Sequence, residues 1–342
     1  MNGVIKCVSL EKFIMKGKYF LKIKNNRVSY DLHFDRCVTI IKGDSGTGKT
    51  NLISMLQFYI KSGKDSGITV NTNINSIKVL DEDTDWDYIL NKYRGSVFFA
   101  DEETKYILTK EFVDLLYETG SYIVYFTRSG RTGYLQYAIS SLCYFKSRRV
   151  NDFYINELFN LYNNEEINFK PDIIVTEDST SGLDILSNSL NVKVVSSYGK
   201  DNIINKLNEL SKDYVNIYIF VDGAAFGNQI SNLFAKIKSL VSCNVIVFAP
   251  ESFEYLILQT SKFKKFCEDE LVNTYKYVDN CIFKTWENYF EYLLSELCKR
   301  YSYVKYEKVK WDELNSFFKK ELLLKEITDQ FVDLDNSIKK FR

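Results

Sequence analysis

The chain has 342 residues, of which 45% are hydrophobic and 26% charged, a composition typical of a globular protein with room for two domains. Its 45 lysines and arginines balance its 45 aspartates and glutamates, so a basic surface over the whole protein is excluded, while a local basic groove is not. The 7 cysteines are dispersed and His33 is the single histidine, which disfavours a structural zinc site and a disulfide framework. No apolar run reaches membrane-spanning length, so we expect a cytoplasmic protein with no membrane contact.

The first 165 residues alternate between strand and helix patterns. The predicted strands span 19–24, 28–32, 37–42, 97–100 and 122–126, and the predicted helices span 50–61 and 109–118. The face of the first helix is predicted to carry Leu52, Met55, Leu56, Tyr59 and Ile60, with Gly63 ending the helix. This alternation predicts a parallel sheet with right-handed crossovers.

A glycine-rich loop follows the third predicted strand. The pattern Gly-x4-Gly-Lys-Thr is formed by Gly43, Asp44, Ser45, Gly46, Thr47, Gly48, Lys49 and Thr50. Its glycines let backbone N–H groups turn toward phosphates, and the helix that follows adds its positive end. We expect Lys49 to reach the β- and γ-phosphates and the Thr50 hydroxyl to bind Mg²⁺. Because strand, loop and helix occur together, the pattern favours an ATP–Mg²⁺ site over a glycine-rich turn that matches by chance.

Two acids and an arginine extend this candidate site. Asp101 follows an apolar strand, as a Walker-B aspartate does, and is expected to hold Mg²⁺ through water. Glu102 is then the expected general base, although acids also collect at helix N-termini. Arg128 follows the strand at 122–126 and is a candidate to sense or stabilise the γ-phosphate, the alternative being a solvated loop.

The N-terminal strands, the loop at 43–50 and the pair Asp101-Glu102 resemble the ATPase heads of the ABC/RecF/SMC-like group. No LSGGQ-type signature precedes Asp101, and the interval is too short for the usual helical insertion. The resemblance therefore implies a compact, divergent ATPase head without the group's dimer-sandwich motif.

A second alternating series follows a polar stretch at 163–166. Its predicted strands span 173–176, 192–195, 217–221 and 245–248, and a helix is predicted over 230–240. Glu177, Asp222 and Glu251 come where strands end, with Glu254 shortly after. Because the carboxyl ends of parallel strands share one edge, these carboxylates are expected to converge on a hard cation such as Mg²⁺.

This second series resembles the TOPRIM domain of topoisomerases, primases and OLD-family nucleases. Glu177 matches the family's first glutamate, Asp222 the first aspartate of its Asp-x-Asp, and residues 199–202 its Gly-Lys-x-Asn turn. The resemblance implies a nucleic-acid-cleaving metal site, but the second aspartate is replaced by Ala224. The competing interpretation of Glu177 and Asp222 is helix capping, because Asp178-Ser179 and Asp222 both precede helical patterns.

The last segment is predicted to be helical. Its aromatic and aliphatic residues recur at helical spacing, for example at Trp286, Phe290, Leu293, Leu294 and Leu297. Lysines at 305, 308 and 310 lie among tyrosines, which also fits base stacking with phosphate contacts. Interrupting acids favour an amphipathic helical cap.

Together, these patterns predict an α/β fold: a P-loop NTPase domain with a parallel sheet at 1–165, a smaller TOPRIM-like α/β domain at 166–260, and a helical region at 261–342. The leading hypothesis is an ATP-binding and ATP-hydrolysing protein, of phage-defence or mobile-element type, that regulates a TOPRIM-like module acting on nucleic acid. The alternative is a nucleotide-dependent interaction protein whose TOPRIM-like domain is inactive. ATP rather than GTP, and assembly as a homo-oligomer, are left open by the sequence.

Overall fold

A computed structural model describes residues 14–162, 169–179 and 181–300, with the backbone alone at positions 181, 185, 188 and 189. The fold is mixed α/β and divides into two compact units. Unit 1 contains the described residues within Met1–Tyr137, Ser141–Leu161 and Tyr275–Lys284. Unit 2 contains those within Ala138–Ser140, Tyr162–Thr274 and Thr285–Arg342. The boundaries at 165 and 260 stay a prediction, and the polar stretch at 163–166 lies outside the described residues.

Unit 1 is built around one large sheet. Its described strands are β1 (Tyr19–Lys24), β2 (Val28–Phe34), β3 (Val38–Lys42), β4 (Thr69–Thr72), β5 (Ile77–Val79), β6 (Val97–Ala100), β7 (Tyr122–Thr127), β8 (Leu142–Val150) and β9 (Phe153–Asn160). Its described α-helices are α1 (Lys49–Ser62), α2 (Trp86–Lys92) and α3 (Lys110–Glu118). The strand order is β4-β1-β2-β9-β8-β3-β7-β6-β5.

The predicted parallel sheet is only one part of this larger mixed sheet. Strands β8, β3, β7, β6 and β5 run parallel to their neighbours in that order, whereas β1–β2, β1–β4 and β8–β9 pair antiparallel. The parallel pairing predicted for the strands at 37–42, 97–100 and 122–126 is confirmed in β3, β6 and β7. The prediction did not include the hairpin β8–β9, which joins these strands to the antiparallel part of the sheet. In that hairpin, charged residues occupy successive exposed positions and hide the strand alternation.

The burial of the strands differs between the parallel and the antiparallel part of the sheet. Every residue of β6 and β7 is buried, as expected for central strands covered on both faces. In β1, Leu21 and Ile23 are buried while Lys22 and Lys24 are exposed, so this part of the sheet has one covered face and one exposed face.

Helix α1 confirms the helix predicted over 50–61, but the residues on its buried face differ slightly from those predicted. Leu52, Met55 and Leu56 are buried as predicted, and Gly63 follows the last helical residue. Ile60 is 44% exposed, and Ile53 is buried instead, so the apolar face was assigned too far toward the C-terminal end.

Unit 2 contains a smaller parallel sheet in the order β11-β10-β12-β13. Its described strands are β10 (Ile173–Thr176), β11 (Lys193–Ser196), β12 (Asn216–Phe220) and β13 (Asn244–Phe248), and its described α-helices are α4 (Ser181–Ser189), α5 (Ile203–Leu210), α6 (Gly227–Ser239), α7 (Phe253–Leu258), α8 (Ser261–Val272) and α9 (Trp286–Arg300). All four predicted strands are confirmed to within one residue at each end.

The helical prediction for the C-terminal region is confirmed as far as Arg300. Phe290, Leu294 and Leu297 form the buried face of α9, and Tyr255 of α7 lies against Phe290 with ring centroids 4.8 Å apart. The lysine–tyrosine segment around 301–313 lies outside the described residues. Among the helices that the structure describes, none combines the length and the apolarity needed to cross a bilayer.

Candidate functional site

The glycine-rich loop connects the end of β3 to the start of α1. A hydrogen bond of 3.2 Å from Gly43 N–H to Thr127 O fixes the loop's beginning beside the end of β7. Gly46 and Gly48 have φ of 83° and 86°, left-handed values that favour glycine. A Cβ on Gly48 would lie 2.8 Å from the Tyr30 hydroxyl, so backbone and side chain approach too closely for any other residue.

Lys49 is folded back into this loop. Its ammonium group donates to the carbonyl oxygens of Gly43 and Asp44 and to Thr47 Oγ1, the last two at 2.9 Å. The side chain is buried, and burial together with the nearby Arg128 guanidinium lowers the pKa of Lys49 below its ordinary value. The loop therefore encloses a cation whose partners are neutral oxygens, and anionic oxygens would be stronger acceptors.

Tyr30 and Asn51 support the loop through hydrogen bonds, a role that no sequence pattern indicates. The Tyr30 hydroxyl donates to Gly48 O at 2.9 Å, and Asn51 Nδ2 donates to the same hydroxyl at 2.9 Å. Tyr30 lies on β2, in the antiparallel part of the sheet. A residue of the antiparallel strands thus holds the turn that begins α1. From the sequence, Tyr30 is predicted only to lie in a strand.

Glu102 and Arg128 bond to each other across neighbouring strand ends. The Arg128 backbone N–H donates to Glu102 Oε2 at 2.8 Å, and its side-chain Nε lies 3.1 Å from Oε1. Both carboxylate oxygens are therefore engaged by one residue. The side chains are 55% exposed for Arg128 and 30% for Glu102, so water competes for this ion pair.

Asp101 heads the turn that follows β6. Its Oδ1 accepts from Glu103 N–H at 3.1 Å and from the Thr104 hydroxyl at 3.5 Å. Neither Asp101 nor Glu102 caps α3, because the side chain of Thr109 accepts the hydrogen bond there. The buried Tyr125 lies near both acids. Its burial is the main cause that raises its pKa to about 12, and the charges of Glu102 and Asp101 raise it further.

A cavity of about 300 Å³ opens at the loop. It is lined by Asp44, Ser45, Gly46, Thr47, Gly48, Lys49, Thr50, Asn51 and Arg128. The predicted loop residues from Asp44 onward and Arg128 thus meet at one opening. Asp101 and Glu102 are not among its lining residues, and Glu102 is linked to it through Arg128.

In unit 2, Glu177 and Asp222 follow the neighbouring strands β10 and β12. Glu177 Oε2 accepts from Asp222 N–H at 3.4 Å, and Asp222 Oδ1 accepts from Phe253 N–H, the first residue of α7, at 3.0 Å. Burial is the main cause that raises the pKa of Glu177 above its ordinary value. These carboxylates therefore serve as acceptors for backbone groups at the sheet edge.

A backbone contact connects two of the remaining predicted positions at this edge. Glu251 O accepts from Ala224 N–H at 3.0 Å, and the Ala224 side chain is buried. Asp178 Oδ2 accepts from Gly182 N–H at 2.9 Å, which caps the start of α4 as the capping interpretation predicts. Within the described residues, no group of three or more His, Cys, Asp and Glu side chains is arranged to hold a metal ion. The metal role of Glu177, Asp222 and Glu251 stays a prediction.

A comparison with protein-family models found none that matches the chain, and a search of curated proteins found no match either. The chemistry of the two sheet edges is therefore the basis for assigning a function.

Proposed function

We propose that this chain is an ATP-hydrolysing P-loop protein whose nucleotide cycle regulates a TOPRIM-like module acting on nucleic acid. The observation that carries the proposal is the Lys49 ammonium, enclosed by a glycine-rich loop between a buried strand and a 14-residue helix. A helix of this length presents unbonded N–H groups and a positive dipole end, which attract phosphate.

Phosphate oxygens of ATP are stronger partners for Lys49 than the loop oxygens it now contacts. The loop carbonyls of Gly43 and Asp44 are neutral, whereas the β- and γ-phosphates carry charge. Exchange of partners releases the Thr47 hydroxyl and the two carbonyls and lets the loop close on the phosphates. The cavity beside Lys49 and Arg128 provides the room for them.

Hydrolysis in this proposal depends on freeing Glu102. Water attacks the γ-phosphorus, the bond to the β,γ-bridging oxygen breaks, ADP leaves with that oxygen, and Glu102 accepts the water's proton. In the described arrangement Arg128 occupies both Glu102 oxygens. A γ-phosphate competes for the guanidinium, because an exposed pair is worth about 1 kcal/mol or less. ATP, unlike ADP, therefore frees Glu102 Oε1 to accept the proton, while Oε2 keeps its bond to the Arg128 backbone N–H.

Mg²⁺ fits the oxygen donors that the loop and β6 supply. Thr50 offers a hydroxyl, and Asp101 offers a carboxylate whose direction is fixed by the Glu103 N–H. When bound, the ion neutralises charge on the β- and γ-phosphate oxygens. Thr50 would bind it directly and Asp101 through water.

The decisive test is nucleotide binding by Lys49→Ala, measured by titration calorimetry with ATP and Mg²⁺. Loss of one charge-assisted contact to two phosphates is expected to weaken affinity by about 10- to 100-fold. Lys61→Ala, on the last turn of the same helix, is the matched control and should bind as the unaltered protein does. Equal affinity in Lys49→Ala and Lys61→Ala would overturn the site assignment.

A second candidate, a nucleotide-dependent interaction protein with an inactive TOPRIM-like domain, is favoured by Ala224. A buried methyl group stands where that family has a carboxylate, and Asp222 already bonds the start of α7. Plasmid nicking with Mg²⁺ or Mn²⁺, with and without ATP, separates the candidates. Cleavage by the unaltered protein that Glu177→Gln abolishes supports the nuclease; no cleavage of any DNA or RNA offered leaves the second candidate.

A further inference from the structure

The antiparallel part of the unit 1 sheet presents an ordered row of charges on its exposed face. Strand register aligns, across four neighbouring strands, Lys22 of β1, Asp31 of β2, Glu157 of β9 and Lys146 of β8. The next row along these strands consists of Lys24, Ser29, Ile155 and Arg148. In both rows, the cations thus lie on β1 and β8, the first and last of these four strands. The second row has no carboxylate.

Aromatic rings lie on the same face, two residues further along the strands. Phe20 stacks on His33 with ring centroids 6.2 Å apart, and Tyr144 lies 6.2 Å from Phe159. Lys146 Nζ is 5.4 Å from the centre of the Phe159 ring, which is 40% exposed. We call Phe20, Lys22, Lys24, Lys146, Arg148 and Phe159 together the open sheet face.

Charge on the open sheet face departs from that of the whole chain. The chain has a formal net charge of zero, whereas the two charged rows hold four cations against two carboxylates. One of those carboxylates, Asp31, is already paired with Lys22 at 2.8 Å and with His33 at 2.9 Å. The excess positive charge is therefore local and lies beside the exposed Phe159 ring.

We propose that the open sheet face binds single-stranded nucleic acid. Phosphates would contact the cations of β1 and β8, which lie about 14 Å apart at the usual strand spacing, while bases stack on Phe159 and its neighbouring rings. A duplex hides the flat surfaces of its bases inside the helix, so this combination of rings and cations favours a single strand. An acidic protein would be attracted by the cations, but it has no bases to stack on the rings.

The inference rests on the proposed function for its nucleic-acid partner, yet it is tested apart from ATP. The probe is a dye-labelled oligothymidine, and binding to the full chain is followed by fluorescence anisotropy over a salt series. Lys24→Glu/Arg148→Glu should weaken binding at least tenfold, and the milder Lys24→Gln/Arg148→Gln should lower the slope of log affinity against log salt by about 1.4. Phe159→Ala should weaken binding at least fivefold with an unchanged salt slope.

The matched control is Lys105→Glu/Lys110→Glu, which makes the same charge change on exposed positions near α3. It should bind within twofold of the unaltered protein. ATP affinity of every variant is measured in parallel, so loss of oligonucleotide binding with intact ATP binding concerns the sheet face alone. The inference is overturned if the unaltered protein does not bind the oligonucleotide, if it prefers a duplex, an acidic peptide or anionic vesicles, or if the control loses as much affinity as the face variant.

Discussion

Both units place charged side chains at the carboxyl ends of parallel strands, but they engage these groups differently. At the unit 1 edge, Lys49 and the pair Glu102–Arg128 bond to loop oxygens or to each other. At the unit 2 edge, Glu177 and Asp222 accept backbone N–H groups. Exposed ion pairs and loop contacts exchange partners readily. The Asp222 carboxylate, by contrast, is held by the first N–H of α7, and Glu177 by the Asp222 N–H. The shared sheet-edge position therefore supports function in unit 1 and favours a structural role in unit 2.

The largest expected effect is on turnover, through Glu102→Gln. The amide keeps one of the two acceptors that Arg128 uses but cannot accept a proton, so kcat should fall by about 10²- to 10⁴-fold while ATP affinity is retained. Phosphate release and ATP titration measure the two quantities. Glu103→Gln, an exposed neighbour, is the control and should hydrolyse ATP normally. If both variants lose turnover equally, Glu102 is not the base.

Gly48→Ala should have the next largest effect, on ATP affinity. The new Cβ would meet the Tyr30 hydroxyl at 2.8 Å, and the left-handed backbone adds strain, so the loop must shift and affinity should fall by more than tenfold. Gly67→Ala shares a positive φ of 68° but meets no atom within 4 Å. It should cost only the left-handed strain, about 1–2 kcal/mol of stability, and leave ATP affinity intact.

Arg128→Ala should separate ATP from ADP. Removing the guanidinium deletes a contact expected only with the γ-phosphate, so ATP affinity should fall about tenfold while ADP affinity changes little. Arg131→Ala, exposed on the same loop, is the matched control. If the affinities for ATP and ADP fall equally, Arg128 attracts both nucleotides by its charge and does not contact the γ-phosphate specifically. If neither affinity falls, Arg128 does not contact the nucleotide.

Features that depend on residues close together in the sequence were predicted, whereas features that depend on distant residues were not. The loop from Gly43 to Thr50 is a local pattern, and its strand and helix follow from apolar periodicity over a few residues. Tyr30 was missed because its contact with Gly48 joins positions far apart in the chain, and no spacing rule connects them. The hairpin β8–β9 was missed because exposed arginines replace polar–apolar alternation, although that same charge pattern is what the open sheet face presents.

The smallest effect concerns Glu177 and distinguishes a structural carboxylate from a metal ligand. Burial, then the charge of Glu287 and, less strongly, Asp178 raise its pKa, while the Asp222 N–H and Lys200 oppose this. Since the folded pKa lies above the unfolded value of 4.5, the stability it contributes is full below pH 4.5 and is lost as pH rises through the folded pKa.

Glu177→Gln should therefore raise the melting temperature slightly at pH 7 and change it less, or lower it, at pH 4. Thermal unfolding without added metal measures this difference at both pH values. Glu209→Gln, whose carboxylate is exposed on α5, is the control and should shift little at either. If Mg²⁺ stabilises the unaltered protein but not Glu177→Gln, with ATP absent, the carboxylate holds a cation, and the contrast drawn between the two sheet edges fails. If Mg²⁺ has the same effect on both, Glu177 holds no cation, and the contrast between the two sheet edges stands.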